Sequence, residues 1–339
     1  MSNWLDLLQT LVPEAMEMLK TRYEILNAIE CFQPIGRRAL AEKVGLSERI
    51  LRRELDFLHS HGYLSVSTSG VLLTDKALEL MGQAQLVVRE AYGLTLMERE
   101  LEKRLGLTKA IIVPGDYDND DSVVYNMGRA AATLIKETLK SDSTIAVMGG
   151  WTVARVADMV SGHYPDVMVV PARGGLDEEV EIQANTVASK LAEKLGGKYK
   201  MLHLPENLDP KALEALLLDK RIRDAVNTIR NADILLYGIG RADVMARRRG
   251  LSSLNVARLL TKGAVAEALG NYYDENGQVI DKAPSLGIEI TDQPNLALSV
   301  AIAGGREKVL AIVAALRNSN GQILVTDQGT APEILANIK

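Results

Sequence analysis

The chain has 339 residues, 47% of them hydrophobic and 24% charged, which is enough for two domains with buried cores. A net charge of −5 excludes a protein coated in basic residues, so any nucleic-acid surface must be local. A single cysteine, Cys31, excludes an internal disulfide framework, and four scattered histidines (His59, His61, His163 and His203) argue against structural zinc. Asp6, Glu14 and Glu17 interrupt the opening segment, and no run of about 18 apolar residues occurs. The expected location is the cytoplasm, with no membrane contact and no metal.

From Leu5 to Ile29 apolar residues recur at three- and four-residue spacing, predicting an amphipathic helix with an interruption near Pro13. Gln33-Pro34-Ile35-Gly36 breaks the pattern. Arg37 to Val44 then reads as a short helix, Gly45 as a tight turn, and Ser47 as the cap of a second helix, Ser47 to His59. That is the spacing of a helix-turn-helix. Gly62 to Val66 and Val71 to Leu73 alternate as two strands around a Ser67–Gly70 turn, as a wing would. Thr74-Asp75 caps the next helix. A helix in the major groove needs short or basic side chains near its N-terminus, which Ser47, Arg49, Arg52 and Arg53 supply. Arg37 and Arg38 are placed to hold backbone phosphates. The arginines of a packing unit could equally be a solvated face, but the turn, the wing and the local basic excess coincide here. The expected partner is operator DNA.

Ala77 to Leu105 keeps helical spacing, as one helix or as two joined near Gly93, and could carry dimer contacts or pack on the second domain. The expected division is residues 1–88 for the DNA-binding domain, 89–105 for a helical linker and 106–339 for a ligand-binding domain.

Beyond Gly106 short apolar runs alternate with helical ones. Strands are expected at Ala110–Val113, Thr144–Met148, Val167–Val170, Tyr199–Leu204, Ile234–Tyr237 and Gln322–Thr326. Helices are expected around Met127–Leu139, Val153–Met159 and Glu181–Leu195. This is an α/β pattern, a Rossmann-like and mostly parallel sheet that binds ligands beyond its strand ends. Glycine loops sit at those ends: Gly149-Gly150-Trp151-Thr152, Arg173-Gly174-Gly175, Gly238-Ile239-Gly240-Arg241 and Gly304-Gly305-Arg306 before Lys308. Each lets backbone approach an anion at a helix start, and three have Arg or Lys nearby, so a phosphorylated ligand is expected. Neither a phosphate-loop nor a dinucleotide fingerprint occurs. An isomerase or deaminase using Glu267, Asp327 or Asp243 as a base is the competing reading. No histidine lies in the four loops, so no catalytic residue is expected.

The segments GAVAEALGNYYDENGQV (from Gly263), SVAIAGGREKVLAIVAAL (from Ser299) and ILVTDQGT (from Ile323) resemble the sugar-binding domain of SorC-type regulators. PIGRR, LSERILR, VPARGGL and QANTVA narrow the resemblance to members governing glycolytic operons in Gram-positive bacteria. The resemblance implies a repressor induced by fructose 1,6-bisphosphate, dimeric and a dimer of dimers on its operator, with no cofactor. It implies that Thr152 and the Gly149-Gly150 loop hold one phosphate, that Arg173 and Arg248 supply charge, and that Lys308 stands at a phosphate-receiving helix start. Glu267 would accept from sugar hydroxyls, and Gln183 and Asn185 would add polar contacts. Trp151 stands where those relatives carry threonine, which removes one hydroxyl but keeps the backbone N–H, so a regulator answering to another sugar phosphate, or an activator, is the closer alternative.

Overall fold

A computed structural model describes residues 7–8, 10–175, 179–204, 209–289, 296–318 and 321–338. It divides into two compact units, one of Met1–Leu96 with Pro114–Val123 and one of Met97–Val113 with Val124–Lys339. The expected linker 89–105 is thus shared between the units, and residues 114–123 go with the N-terminal one.

The N-terminal unit is built on α1 (Pro13–Phe32), α2 (Arg37–Lys43) and α3 (Glu48–Ser60). The hairpin β1 (Leu64–Ser67) and β2 (Gly70–Leu73) and then α4 (Asp75–Ala91) complete it. Pro13 occupies the first turn of α1, where its missing N–H costs nothing. Ser47 caps α3 by accepting from Ile50 N, and Thr74 caps α4 by accepting from Ala77 N. Ile25, Ile29, Leu40, Leu51, Leu58 and Val71 meet in one apolar core. Ile35 bridges Val71, adding a one-residue third strand beside the hairpin, and a Cβ on Gly70 would stand 2.6 Å from Ile35 O. Only glycine admits that approach. The arrangement is a winged helix-turn-helix. Within the same unit Asn27 Nδ2 donates to Ser122 Oγ at 3.1 Å and Lys43 pairs with Asp121 at 2.5 Å.

Gly93, at φ +65°, ends α4 and lets α5 (Leu94–Leu105) set off anew, so the segment is two helices. Most of α5 belongs to the second unit for a clear reason. Its Glu98 and Glu102 accept from Ile112 N (2.7 Å) and Ala110 N (2.9 Å) of β3 (Lys109–Val113). β3 is an edge strand, and those carboxylates cover donors that would otherwise face outward unpaired.

The second unit carries a seven-stranded sheet in the order β3-β13-β12-β7-β4-β5-β6, with every pairing parallel. The strands are β4 (Thr144–Val147), β5 (Met168–Pro171), β6 (Lys198–Tyr199), β7 (Ile234–Gly238), β12 (Leu298–Ile302) and β13 (Ile323–Asp327). β12 and β13 are buried at every position, as strands covered on both faces must be. α6 (Ser122–Thr138), α7 (Trp151–Met159), α8 (Ala184–Leu195), α9 (Pro210–Leu216) and α10 (Lys220–Arg230) accompany the first half of the sheet in sequence. α13 (Val309–Leu316) and α14 (Ala331–Asn337) accompany the second half. β4 leads outward to β5 and β6, whereas β7 leads the other way to β12 and β13. The direction therefore reverses between β4 and β7, which is where such sheets bind ligands.

Three local expectations change. The strand expected over Tyr199–Leu204 pairs only at Lys198–Tyr199, because Asn185 takes both the N–H and the C=O of Leu202. The helix expected from Glu181 begins at Ala184, after a 3-10 turn at Val180–Ile182. A second sheet, unforeseen, runs β11-β10-β9-β8 and is antiparallel throughout. It comprises β8 (Gly240–Arg241), β9 (Ala266–Ala268), β10 (Asn271–Tyr273) and β11 (Val279–Lys282), with α11 (Ala242–Arg248) and α12 (Ser253–Thr261) between the first two strands.

Candidate effector site and DNA-contact surface

In the N-terminal unit Arg37, Arg38 and Arg52 line one cavity of about 540 Å³ together with Gly36, Glu48 and Leu51. All three arginines are exposed, as are Ser47 and Arg49. Arg38 meets Glu48 at 3.4 Å and Arg52 meets Asp56 at 4.0 Å, exposed pairs that bind weakly and leave the guanidinium groups free to change partner. Arg53 differs. Its Nε and Nη2 both donate to Glu54 Oε1, at 2.9 and 2.8 Å, while Arg22 Nε donates to Glu54 Oε2 at 2.9 Å. Burial pushes the Glu54 carboxyl up, but the hydrogen bonds and charge of Arg22 and Arg53 outweigh it and bring the group below its ordinary value. Arg53, though exposed, is therefore anchored on the buried Glu54, whereas Arg52 meets only the exposed Asp56.

In the second unit the glycine loops gather at the reversal point. Gly150, at φ +118° and ψ 156°, lets the chain turn from β4 straight into α7, whose first N–H groups have no partner within the helix. The helix starts at Trp151, two residues before its expected start. Thr152 is buried, and its hydroxyl lies 3.9 Å from where a Cβ on Gly238 would stand. A Cβ on Gly238 would also stand 3.9 Å from Ile302 O, so the ends of β4, β7 and β12 converge. Gly305, at φ +98°, caps the turn that carries Lys308 to the start of α13. Its N–H donates to Thr330 Oγ1 (2.8 Å), and Thr330 N donates to Asp327 Oδ2 (3.1 Å). The Trp151 indole lies outward, 42% exposed, with the Arg155 guanidinium 5.5 Å from its centre.

Next to these loops sits a buried charge cluster. Arg173 Nη1 donates to Leu269 O (2.6 Å) and Nη2 to Ala283 O (2.8 Å). Arg249 Nη2 donates to Glu267 Oε1 (2.8 Å), which also accepts from Gly270 N (2.6 Å). Burial, and then the charge of Arg249, pull the Arg173 guanidinium down to about 10. Leu269 (φ 52°) and Gly270 (φ 76°) both take left-handed backbone in the two-residue turn from β9 to β10. Arg173 reaches the Leu269 carbonyl across that turn.

Against the sequence expectations, Arg173 is a brace as well as a charge, with donors held by two carbonyls rather than extended as an open fork. Glu267 is engaged by Arg249 and Gly270. Asn185 donates to Leu202 O and accepts from Leu202 N, so it orders the chain after β6. Arg248 is exposed at the end of α11, and Gln183 is half-buried before α8. Gly174 N donates to Ser285 Oγ (3.4 Å) and Gly175 N to Leu204 O (2.8 Å). Arg249, next to the expected Arg248 in the sequence, is the buried one of Arg247, Arg248 and Arg249. Its signal is its phase: Ala242, Ala246 and Arg249 are buried at i, i+4 and i+7. The three carboxylates of the enzyme reading are all engaged in structural bonds, Glu267 and Asp327 as above and Asp243 with Arg241 (3.0 Å) and Arg247 (3.2 Å).

Comparison with known proteins agrees along the whole chain. A family model for the CggR N-terminal DNA binding domain matches residues 18–88, and a sugar-binding domain model matches residues 89–336. The chain is 38% identical to the central glycolytic genes regulator of Priestia megaterium, over 99% of each chain. It is 36% identical to that of Bacillus subtilis, again over 99% of each. The full-length sorbitol operon regulator SorC of Klebsiella pneumoniae shares the fold, with a TM-score of 0.66 at 20% identity over 89% of this chain and 94% of that one. Among the described residues no helix is long and apolar enough to cross a membrane. The chain belongs to the SorC/DeoR family of sugar-binding, DNA-binding transcriptional regulators, beside the central glycolytic genes regulators, and is a regulator rather than an enzyme.

Proposed function

We propose that this regulator represses a glycolytic operon in the cytoplasm and is released from it by fructose 1,6-bisphosphate. The observation that supports the ligand class is the set of glycine turns at the strand ends: Gly150 opens the start of α7 beside the buried Thr152, and Gly305 leads Lys308 to the start of α13. Helix starts of this kind favour a phosphate. Thr152 and the first N–H groups of α7 receive one phosphate; Lys308, at the start of α13, and Arg248 receive the other. Because the Trp151 indole lies outward, its substitution for threonine leaves the backbone donor and the Thr152 hydroxyl to the ligand. That supports the ligand of the glycolytic relatives over a different sugar phosphate. The ligand acts by binding the operator-competent and released states unequally, loosening a dimer of dimers.

Thermal stability against fructose 1,6-bisphosphate, fructose 6-phosphate, glucose 6-phosphate and dihydroxyacetone phosphate tests the reading. A ligand at about 100 times its Kd stabilises its domain by roughly 2.7 kcal/mol. The largest shift is expected with fructose 1,6-bisphosphate, together with weakened operator binding. A shift confined to another compound reassigns the effector, and no shift with any compound removes the phosphate reading.

A further inference from the structure

The second sheet and α12 enclose a cavity of about 340 Å³ that the glycine loops do not line. Pockets of this size hold small molecules. Leu251, Leu259 and Pro284 supply an apolar lining, and Tyr272 lines it as well. Three cations also face it, Arg258, Lys262 and Lys282, against one carboxylate, Asp281. Lys262 and Asp281 pair at 3.0 Å, which leaves the charges of Arg258 and Lys282 in excess on a chain of net charge −5.

Tyr272 is the second observation. It is 2% exposed, and its buried hydroxyl neighbours the Arg249 guanidinium, which can only donate, so the hydroxyl proton finds no acceptor among the described residues. Burial pushes the phenol up to about 12, so it is a neutral donor at physiological pH. In the sheet Tyr272 stands opposite Glu267 on one side and Asp281 on the other, so the three share one face. A buried hydroxyl without an acceptor costs about 1–3 kcal/mol, and an anion drawn into the cavity would offer it one.

We propose that this cavity is a second ligand site, for a small organic anion whose charged head meets Arg258 and Lys282 and whose flat apolar body lies on Leu251, Leu259 and Pro284. The head alone is attracted by charge, and the body adds the apolar contact that separates this site from a surface counterion patch.

The test is calorimetric titration of the full chain with phenyl phosphate and with inorganic phosphate, with and without saturating fructose 1,6-bisphosphate. Phenyl phosphate should bind at one site per chain, at least tenfold more tightly than inorganic phosphate, and unchanged by the bisphosphate. Arg258→Ala with Lys282→Ala should weaken it at least tenfold. Both side chains are exposed, and an unchanged melting temperature of the variant verifies folding. Equal binding of the two probes, equal binding by the double variant, or displacement by the bisphosphate would each overturn the proposal. Displacement would move phenyl phosphate to the strand-end loops. Failure of the bisphosphate itself to bind would bear only on the effector reading above.

Discussion

Gly270→Ala tests whether the Arg173 brace holds the β9–β10 turn in place. A Cβ at Gly270 would stand 2.3 Å from Arg173 Nη2 and 2.4 Å from Cζ, at a backbone φ of +76°. The far end of a long side chain on a surface would swing aside cheaply. Here it is 5% exposed and holds Leu269 O and Ala283 O. Left-handed backbone costs alanine about 1–2 kcal/mol. Losing hydrogen bonds from a charged donor costs roughly 1.5–3 kcal/mol each. The expected loss is therefore about 4–8 kcal/mol, a large part of a domain's usual margin. In an Arg173→Ala background there is no guanidinium to displace, so Gly270→Ala should cost only the backbone share, about 1–2 kcal/mol. Urea unfolding followed by Trp151 fluorescence in a Trp4→Phe background reports on the second unit alone. Two costs that add within about 0.5 kcal/mol would refute the reasoning, because residues in contact must couple.

The two neighbouring arginines of α3 should separate cleanly. Arg52→Ala is expected to weaken operator binding and lower the salt slope by about 1, with stability unchanged, as measured by operator titration across salt. Arg53→Ala should chiefly destabilise the N-terminal unit, since its guanidinium holds Glu54; a salt slope altered as much as by Arg52→Ala would contradict that. Glu54 also sets a pH dependence. Its folded pKa lies below the ordinary 4.5, so its charge adds stability above that value, and the contribution is lost as pH falls through the lower folded value. Glu54→Gln should therefore cost about 1–3 kcal/mol at neutral pH, with the gap to the parent closing as pH falls through the lowered folded value. A gap independent of pH would exclude the charged pair as its origin.

Local rules acting over a few residues were legible in the sequence alone. Ser47 and Thr74 as caps, Gly45 as a helix end, and the buried runs of β7 and β13 depend on nearest neighbours and on periodicity, which the chain carries without its fold. The glycine loops after β4, β7 and β12 were legible for the same reason. Only the tertiary structure decided which of their neighbours are free. Nothing in the spelling of Arg52-Arg53 says that one guanidinium is anchored on Glu54, or in Arg247-Arg248-Arg249 which of the three is buried. The strands of the second sheet, three residues long at β9 and β10 and buried at every position, offer no alternation to read. Arg173 meets Leu269 across 96 residues of sequence. A contact at that separation is set by the closure of the whole domain, so a charge that reads as an open phosphate fork in the sequence becomes a brace in the fold.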